Sequence, residues 1–319
     1  MAPGERTAGR GDAGRSRATM RKTSVYLSDD LKAALSIAAA RSGRSEADTM
    51  RLALEAFVRS AGSAPGGERR SRRPIPGGPC LVGVGVGPGD PELLTDRARR
   101  ILLAADRVLA GSISEDATGR AEAVVHAAAP GVAVERVVLA VGPDVRARRR
   151  SLAAAAERIA ALLQQGELVA FATLGDPHLY SPFPALANAV QALQPEAVVE
   201  AEPGILPFQQ LAAATSTTVA QGEERVTVVV LGDEPAELDA LFDHDDSTVV
   251  IYKGGRELPA VATALARRDR LGAAVAGELL GQPGEGCLPL ADLATGPGPY
   301  LTTAIVPARR SPAVGERNA

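Results

Sequence analysis

Gly85, Gly87 and Gly89 stand at alternate positions directly after an apolar run, and Pro88 lies between the last two. Glycine allows positive backbone φ angles and close approach of a ligand to the main chain, so this spacing favours a small-molecule pocket. A dinucleotide fingerprint would need glycine where Pro88 or Asp90 stands, and a phosphate loop would need a Gly-Lys-Ser/Thr run that this stretch lacks. The pattern therefore predicts a different ligand, or else only a tight turn between a strand and a helix.

A second loop, GDPHLYSPF, also follows an apolar run and begins with glycine and aspartate. Asp90 and Asp176, one in each loop, are the candidate catalytic residues, and His178 is a third candidate base. Each of them has a simpler explanation. Asp90 stands before a proline, as a helix N-cap does, and Asp176 could bind main-chain N–H groups of its own loop. His178 could be an ordinary surface histidine.

The elements around these loops alternate between strand and helix patterns. Apolar runs predict strands at 81–86, 107–110, 132–141, 168–174 and 197–201, and helical spacing predicts helices at 93–105, 146–165, 185–193 and from Gln209. Such alternation predicts an α/β fold with a mostly parallel sheet, whose ligand loops lie at the C-terminal ends of strands. After Gly222, strands predicted at 225–231, 248–252, 272–277 and 300–306 indicate a second α/β lobe, with a site in the cleft between the lobes.

The composition excludes several classes of protein. Hydrophobic residues make up 45% of the 319 residues, but aromatic residues only 3% with no Trp, so Ala, Val and Leu must form the cores. No apolar run approaches the ~18 residues of a membrane span, and no apolar core of a secretory signal is visible. Cys80 and Cys287 are isolated, and neither His126 nor His244 has the spacing of a metal ligand. We therefore expect a cytoplasmic protein with neither a metal site nor a disulfide.

Charge is distributed unevenly along the chain. Residues 1–75 carry 15 Lys and Arg against 8 Asp and Glu, whereas the remaining residues carry 20 against 30. A basic head on an acidic body indicates two separate activities, and the head is the part suited to a polyanion. Residues 1–19 are predicted to form a disordered tail, the Pro/Gly/Arg-rich segment 61–79 a linker, and residues 309–319 a second tail.

The head has a strand–helix–helix order over residues 20–60. RKTSVYL alternates as a strand does, and two helical patterns follow, each preceded by a serine cap. This order resembles the ribbon-helix-helix family of DNA-binding proteins. The resemblance implies a dimer whose paired strands enter the major groove, with Lys22, Ser24 and Tyr26 facing bases and Ser45 at a phosphate. The alternative is a dimerisation or tethering module that does not bind DNA.

Four motifs follow one another in the body: GVGPGDPELLT, GDPHLYSPF, EPGI and YKGGR. Over about residues 80–308 they resemble the tetrapyrrole (precorrin) methylase family. The resemblance implies two α/β lobes, 80–222 and 223–308, that bind S-adenosylmethionine and methylate a tetrapyrrole, in a homodimer. The LYSPF run, the Gln-Gly-Glu at 221–223 and the final PYLTTAIVPARR most resemble the branch that methylates C20 of precorrin-2, with or without cobalt, in cobalamin biosynthesis.

The resemblance also implies which positions contact the ligands. It places the following residues against S-adenosylmethionine: Gly85, Gly87, Pro88, Gly89, Leu174, Gly175, Asp176, Leu179, Leu206, Pro207 and Lys253. At Leu206, Pro207 and Lys253 the residue type differs from that of the family. The carboxylates of a tetrapyrrole need cations, so Lys253 and Arg256 are the candidate substrate-binding residues, with help from Arg97 or Arg99. Where the uroporphyrinogen-III branch has an aspartate, this sequence has Gly111, which argues against that branch.

Two further hypotheses stay open at this level. The body could be a sensor for a corrinoid precursor or for S-adenosylmethionine within a transcriptional regulator. Alternatively, the enzyme could methylate another ring position or a different substrate altogether. The intact loops at 85–90 and 175–177 favour catalysis, because a sensor would tolerate their loss.

Overall fold

The computed structural model describes residues 27–42, 44–62, 74–142, 144–231 and 236–310. The chain divides into two compact units, one ending at Arg73 and the other beginning at Pro74. Within the first unit, the described residues form helices α1 (Asp29–Ser42) and α2 (Glu46–Gly62). The predicted strand lies outside the described residues except for its last residue, and so do Lys22, Ser24 and Tyr26.

Both helices of the head begin directly after the serines that the sequence marks as caps. The Ser28 Oγ accepts a hydrogen bond from the Leu31 N–H at 3.4 Å, and the Ser45 Oγ accepts one from the Asp48 N–H at 3.1 Å. These side-chain oxygens satisfy N–H groups that have no partner inside the helix, which fixes where each helix starts. The two predicted helices of the head are therefore present.

The second unit begins with a parallel sheet of five strands, as predicted. Its strands are β1 (Cys80–Gly85), β2 (Arg107–Ser112), β3 (Val134–Val138), β4 (Leu168–Thr173) and β5 (Val198–Glu202), in the spatial order β3-β2-β4-β1-β5. All pairings are parallel. The central strands β1 and β4 are buried along their whole length, because helices cover both faces of the sheet.

Five helices accompany this sheet: α3 (Asp96–Ala104), α4 (Arg120–Ala128), α5 (Val145–Gln164), α6 (Phe183–Leu193) and α7 (Pro207–Ala214). Helices α3 and α4 pack on one face, around Ile101 and Val125. Helices α5 and α6 pack on the other face, around Ile159 and Leu186. The core consists mainly of Ala, Val, Leu and Ile, as the composition requires.

A second sheet of five strands follows. Its strands are β6 (Arg225–Val230), β7 (Ser247–Tyr252), β8 (Val275–Glu278), β9 (Gly286–Pro289) and β10 (Thr303–Val306), in the order β6-β7-β10-β8-β9. Strands β6 and β7 are parallel, and the other pairings are antiparallel. Helices α8 (Ala236–Leu241), α9 (Leu258–Ala266) and α10 (Leu290–Leu293) pack on one side. We call the two sheets with their helices the first and second lobes.

Several boundaries differ from the predictions for local reasons. The helix predicted from residue 93 begins at Asp96, because the Thr95 hydroxyl caps it by accepting the Ala98 N–H at 3.1 Å. Short 3₁₀ turns occupy Pro91–Leu93, Gly255–Glu257 and Leu271–Ala273, and the last of these delays β8 to Val275. Helix α4 and the four-residue strand β9 were not predicted at all. Strand β9 contains Gly and Pro, which have low strand propensity.

No helix within the described ranges is long and apolar enough to cross a membrane.

Candidate active site

The two glycine-rich loops, predicted from distant parts of the chain, lie side by side. They follow the adjacent strands β1 and β4, and the Val86 N–H donates to the Thr173 carbonyl at 3.0 Å. The Gly175 N–H donates to Gly87 O at 2.7 Å, and the Gly87 N–H donates to Gly175 O at 3.4 Å. Both glycines have positive φ, 81° and 70°, a conformation that glycine adopts without strain. The loops therefore form one continuous wall.

A third loop, which contains Gly204, completes this wall. A Cβ atom on Gly85 would lie 2.5 Å from Gly204 N and 2.6 Å from Gly175 O, so the three backbones pack without side chains between them. Asp176 connects the second and third loops. Its Oδ1 accepts the His178 N–H at 2.8 Å, and its Oδ2 accepts the Gly204 N–H at 3.1 Å. The structure thus shows Asp176 orienting loops through main-chain N–H groups.

The first loop also contacts the second lobe. Gly89 has φ 153°, and a Cβ atom on it would overlap the Leu280 carbonyl in the turn after β8. The neighbouring Asp90 is a cap, because its Oδ1 accepts the Glu92 N–H at 2.8 Å at the start of a 3₁₀ turn. Asp90 therefore has the structural role that its place before a proline suggested.

A cavity of about 270 Å³, called here the donor cavity, lies between the two lobes beside these loops. Many of the predicted cofactor-binding residues line it: Pro88, Leu174, Gly175, Asp176, Leu179, Leu206, Pro207 and Lys253. Gly85, Gly87 and Gly89 are not in contact with the cavity and instead form the backbone support behind it. The sequence therefore located the walls of this cavity, although the contacts that these residues make with a ligand stay predictions.

A larger cavity of about 710 Å³, called here the acceptor cavity, is continuous with the first. The two share lining residues, among them Thr173, Tyr180 and Lys253. The acceptor cavity extends along the end of β2, past Gly111, to the N-terminus of α4. A small ligand in the donor cavity would thus face a second, larger ligand in the acceptor cavity.

The charges on the acceptor cavity are positive although the body as a whole is acidic. Among the described residues that line it, Arg120 and Lys253 carry charge, and no Asp or Glu does. Arg120 is the first residue of α4 and lines both cavities. Sequence reasoning missed Arg120 because it missed α4. The one available signal was an arginine at the start of an Ala- and Val-rich run after Gly119.

The other predicted cations are placed differently. Arg256 is exposed and lines neither cavity within the described part of the chain. The Arg97 Nε donates to the buried Glu202 at 2.6 Å, and Arg99 pairs with Asp96 at 3.4 Å on the surface of α3. The structure brings Lys253 to the site and leaves Arg97, Arg99 and Arg256 away from it.

Lys253 is held in an unusual backbone conformation. Its φ of 57° lies in the left-handed region, which costs a non-glycine residue about 1–2 kcal/mol. Its Nζ lies 5.8 Å from the centroid of the Tyr300 ring and 3.5 Å from the Tyr180 carbonyl oxygen. Backbone strain of this kind clusters at functional sites, where the surrounding structure holds it in place.

The wall of the acceptor cavity near α4 is held by a buried carboxylate. Glu122 is 3% exposed, and its carboxylate accepts hydrogen bonds from Arg136, the shortest of them from Nε at 2.8 Å. Arg136 also donates to the Glu115 carbonyl at 2.6 Å and to Thr118 Oγ1 at 3.1 Å, which fixes the segment before α4. The hydrogen bond from Arg136 lowers the pKa of Glu122 below its ordinary value.

The profile of the Tetrapyrrole (Corrin/Porphyrin) Methylases matches residues 80–294, which is more than half of the chain. The chain belongs to the tetrapyrrole methylase family. An enzyme of this family, with S-adenosylmethionine as methyl donor, was expected from the motifs, and that expectation is confirmed.

Several named methylases are similar to this chain. A precorrin-2 C(20)-methyltransferase from Sinorhizobium sp. is 33% identical over 236 residues, covering 71% of this chain and 94% of that enzyme. The cobalamin biosynthesis protein CobIJ of Mycobacterium tuberculosis is 32% identical over 241 residues, covering 72% of this chain and 46% of that protein. A cobalt-precorrin-2 C(20)-methyltransferase from Salmonella typhimurium is 29% identical over 218 residues, covering 65% of this chain and 86% of that enzyme.

Solved structures show the same fold. A cobalamin-synthesis-related protein, CobF, from Corynebacterium diphtheriae matches with a TM-score of 0.56 at 22% identity, covering 72% of this chain and 98% of that one. A cobalt-precorrin-4 methyltransferase, CbiF, matches with a TM-score of 0.52 at 20% identity, and the match covers 71% of this chain and 94% of that one. The two-sheet architecture of this methylase is therefore the fold of its family.

The donor cavity fits the methyl donor of the family. Its volume lies just below the ~300–1,000 Å³ that is typical of small-molecule pockets, and it opens into the acceptor cavity. Apolar Leu and Pro side chains line it, and its charged lining residues are Asp176, Arg120 and Lys253, a combination that suits a donor with an apolar body and charged groups of both signs. Across the described residues, no group of three or more His, Cys, Asp or Glu is placed to hold a metal ion.

Proposed function

We propose that this methylase transfers a methyl group from S-adenosylmethionine to C20 of precorrin-2 or cobalt-precorrin-2. The sequence supports this substrate, because the relative named for that reaction aligns over 94% of its own length. The observation in the structure that carries the proposal is the charge of the acceptor cavity, where Arg120 and Lys253 provide two cations and the lining includes no carboxylate.

These two cations suit an acceptor rich in carboxylates. A guanidinium can bind a carboxylate through two parallel hydrogen bonds, and an ammonium acts as a compact point charge. Among the described residues, no carboxylate lies within ion-pair distance of either Arg120 or Lys253, so both cations are available to a substrate. Local charge at the cavity, rather than the net charge of the body, therefore selects the acceptor.

The mouth of the acceptor cavity suits a flat ring. Ile113, Val141 and Tyr300 line it and are 70%, 73% and 67% exposed, far more than large apolar side chains usually are. Apolar surface at a cavity mouth marks a ligand-binding region. A macrocycle has broad apolar faces and carboxylates at its edge, which matches a cavity lined both by apolar side chains and by two cations.

The loops hold the donor, and positioning is their contribution to catalysis. S-adenosylmethionine, when bound, supplies an electrophilic methyl group on a positively charged sulfur. We place it in the donor cavity against Pro88, Leu174 and Leu179 and against Leu206 and Pro207, which lie beside Gly175. Transfer of the methyl group requires the donor and acceptor atoms to be aligned at close range, and rigid loops provide that alignment.

We assign Asp90 and Asp176 to positioning rather than to proton transfer. Both carboxylates already accept main-chain hydrogen bonds, and those of Asp176 fix the loop that lines the donor cavity. The negative charge of Asp176 also favours a cationic donor nearby.

The test of the proposed function is the product that the purified protein forms from precorrin-2 and from cobalt-precorrin-2. A protein that binds S-adenosylmethionine and yields no methylated product from either would instead support a sensor.

We further propose that residues 20–60 form a ribbon-helix-helix dimer that binds DNA. Three observations support this proposal: the excess of positive charge in the head, the two serine-capped helices, and the apolar side chains of Leu31, Ile37 and Leu54, which are at least half exposed. A gel-shift series of the full chain with genomic DNA fragments, at low and high salt, tests it. We expect salt-sensitive binding by a dimer, and a monomer that shifts no fragment would contradict it.

A further inference from the structure

Tyr252, the last residue of β7, has a buried hydroxyl group that makes no hydrogen bond to any described residue. The residue is 8% exposed and lines the donor cavity. Within the described part of the chain, no donor or acceptor meets hydrogen-bond geometry with its Oη. An unsatisfied buried hydroxyl destabilises the folded state, and phenylalanine would avoid that cost at nearly the same volume. The stability of the fold therefore does not explain why a tyrosine rather than a phenylalanine stands at this position.

The surroundings of Tyr252 leave its proton free to be donated. The backbone N–H of Phe208, in the first turn of α7, faces the phenol oxygen without meeting hydrogen-bond geometry. Burial, reinforced by the nearby Asp176, raises the pKa of Tyr252, so the phenol stays protonated at neutral pH. A neutral buried phenol can donate one hydrogen bond, and no acceptor within the described residues receives it.

The side chains packed against Tyr252 are apolar and aromatic, whereas the charged lining of the cavity comes from Arg120, Asp176 and Lys253. The Tyr180 ring lies with its centroid 5.8 Å from that of Tyr252, and the Phe208 ring packs edge-on at 6.4 Å. Leu179 and Leu280 pack in the same cluster. Charged groups are costly against such walls, whereas the flat, weakly polar surface of a purine fits them. The amino-acid end of the methyl donor is therefore disfavoured here, and its nucleoside is favoured.

We propose that the Tyr252 hydroxyl donates a hydrogen bond to an acceptor atom of the adenosine part of S-adenosylmethionine. This inference rests on the proposed placement of the methyl donor in the donor cavity, and it assigns to Tyr252 a role that the motif comparison did not. Tyr252 is then a specificity-determining residue, because a nucleoside that lacks the acceptor leaves the phenol unpaired.

Calorimetric binding of S-adenosylhomocysteine to the full-length protein, in the absence of any tetrapyrrole, tests this inference. We expect Tyr252→Phe to raise Kd about 5- to 50-fold, which is the range for losing one buried hydrogen bond. The same factor should apply to 5′-methylthioadenosine, which has the adenosine part but no amino-acid part. Without ligand, the variant should unfold at the same temperature as the wild type or higher, because it loses an unpaired polar group.

Three results would overturn the inference. One is an unchanged Kd for S-adenosylhomocysteine in Tyr252→Phe. Another is a loss of affinity for S-adenosylhomocysteine without a matching loss for 5′-methylthioadenosine, which would put the acceptor on the amino-acid part. The third is a fall in the unfolding temperature of the ligand-free variant, which would show that the hydroxyl has a partner inside the protein. A wild-type protein that binds both ligands but methylates no precorrin refutes the proposed function and leaves this inference standing.

Discussion

Gly87 and Gly175 are joined by two backbone hydrogen bonds, with N···O distances of 2.7 and 3.4 Å, although a long stretch of chain separates them. This pair links the loop after β1 to the loop after β4 and thereby places Pro88 and Asp176 on the same cavity. The parallel sheet makes the pair possible, because the C-terminal ends of neighbouring parallel strands meet at one edge. The cleft between the lobes opens at that edge.

The close packing of glycine backbones predicts that a single methyl group will disturb the donor cavity. In Gly85→Ala the new Cβ would lie 2.5 Å from Gly204 N and 2.6 Å from Gly175 O, and backbone atoms on both sides cannot move independently. We expect a loss of about 1–3 kcal/mol in the free energy of unfolding and weaker binding of S-adenosylhomocysteine. Denaturant unfolding and calorimetry measure the two effects.

Gly272→Ala is the matched control for that substitution. Gly272 is exposed, and a Cβ atom there would meet no atom within 4 Å. The free energy of unfolding of Gly272→Ala should stay within about 0.5 kcal/mol of that of the wild type, and its affinity for S-adenosylhomocysteine should be unchanged. If Gly85→Ala bound S-adenosylhomocysteine as tightly as this control, the loops would not depend on their glycine contacts.

Arg120 should contribute to acceptor binding more than Arg256 does. Arg120 lines both cavities, whereas Arg256 is exposed and lines neither. We expect Arg120→Ala to raise the KM for the tetrapyrrole about tenfold or more, as for the loss of a hydrogen bond to a charged group, and Arg256→Ala to have a smaller effect. Steady-state kinetics with saturating S-adenosylmethionine compares them. If Arg256→Ala raised the KM more than Arg120→Ala, Arg256 in the YKGGR motif would be the more important cation for acceptor binding.

Two substitutions at Lys253 separate backbone strain from charge. Lys253→Gly and Lys253→Ala both remove the ammonium, but only glycine adopts a φ of 57° without strain. We expect the glycine variant to be more stable than the alanine variant by about 1 kcal/mol, while both raise the KM for the tetrapyrrole. Thermal unfolding and kinetics check the two expectations. Equal stabilities would mean that the left-handed conformation carries no strain energy.

The buried pair of Glu122 and Arg136 predicts a specific dependence of stability on pH. Because the hydrogen bond from Arg136 lowers the pKa of Glu122 in the folded state, ionised Glu122 stabilises the fold above its unfolded pKa. That contribution is lost as the pH falls through the lower, folded-state pKa. Glu122→Gln should therefore lower stability at neutral pH and flatten its decline below about pH 5. If the free energy of unfolding fell with pH in the same way in the variant and the wild type, Glu122 would not contribute to acid unfolding.

The sequence predicted the positions of the two glycine-containing loops because the requirements of such loops are local. Alternate glycines, a proline and an aspartate after a buried strand restrict the backbone strongly, and the structure places these loops together at one sheet edge. Arg120 was missed for the opposite reason. The residue at the N-cap of its helix is Gly119, which has no side chain to mark the start, and the contact of Arg120 with the cavity arises from packing of α4 on the sheet. Tyr252 was assigned only to a strand, since an unpaired hydroxyl is invisible until its surroundings are known.

The position of the new methyl group on the product tests the central claim most directly. Purified protein is incubated with precorrin-2 and with cobalt-precorrin-2 in the presence of S-adenosylmethionine carrying a ¹³C-labelled methyl group, and the product is analysed by mass spectrometry and NMR. The account predicts a product heavier by one labelled methyl group, attached at C20 of the macrocycle. A label at another ring carbon, or no labelled product from either substrate while the donor still binds, would contradict it.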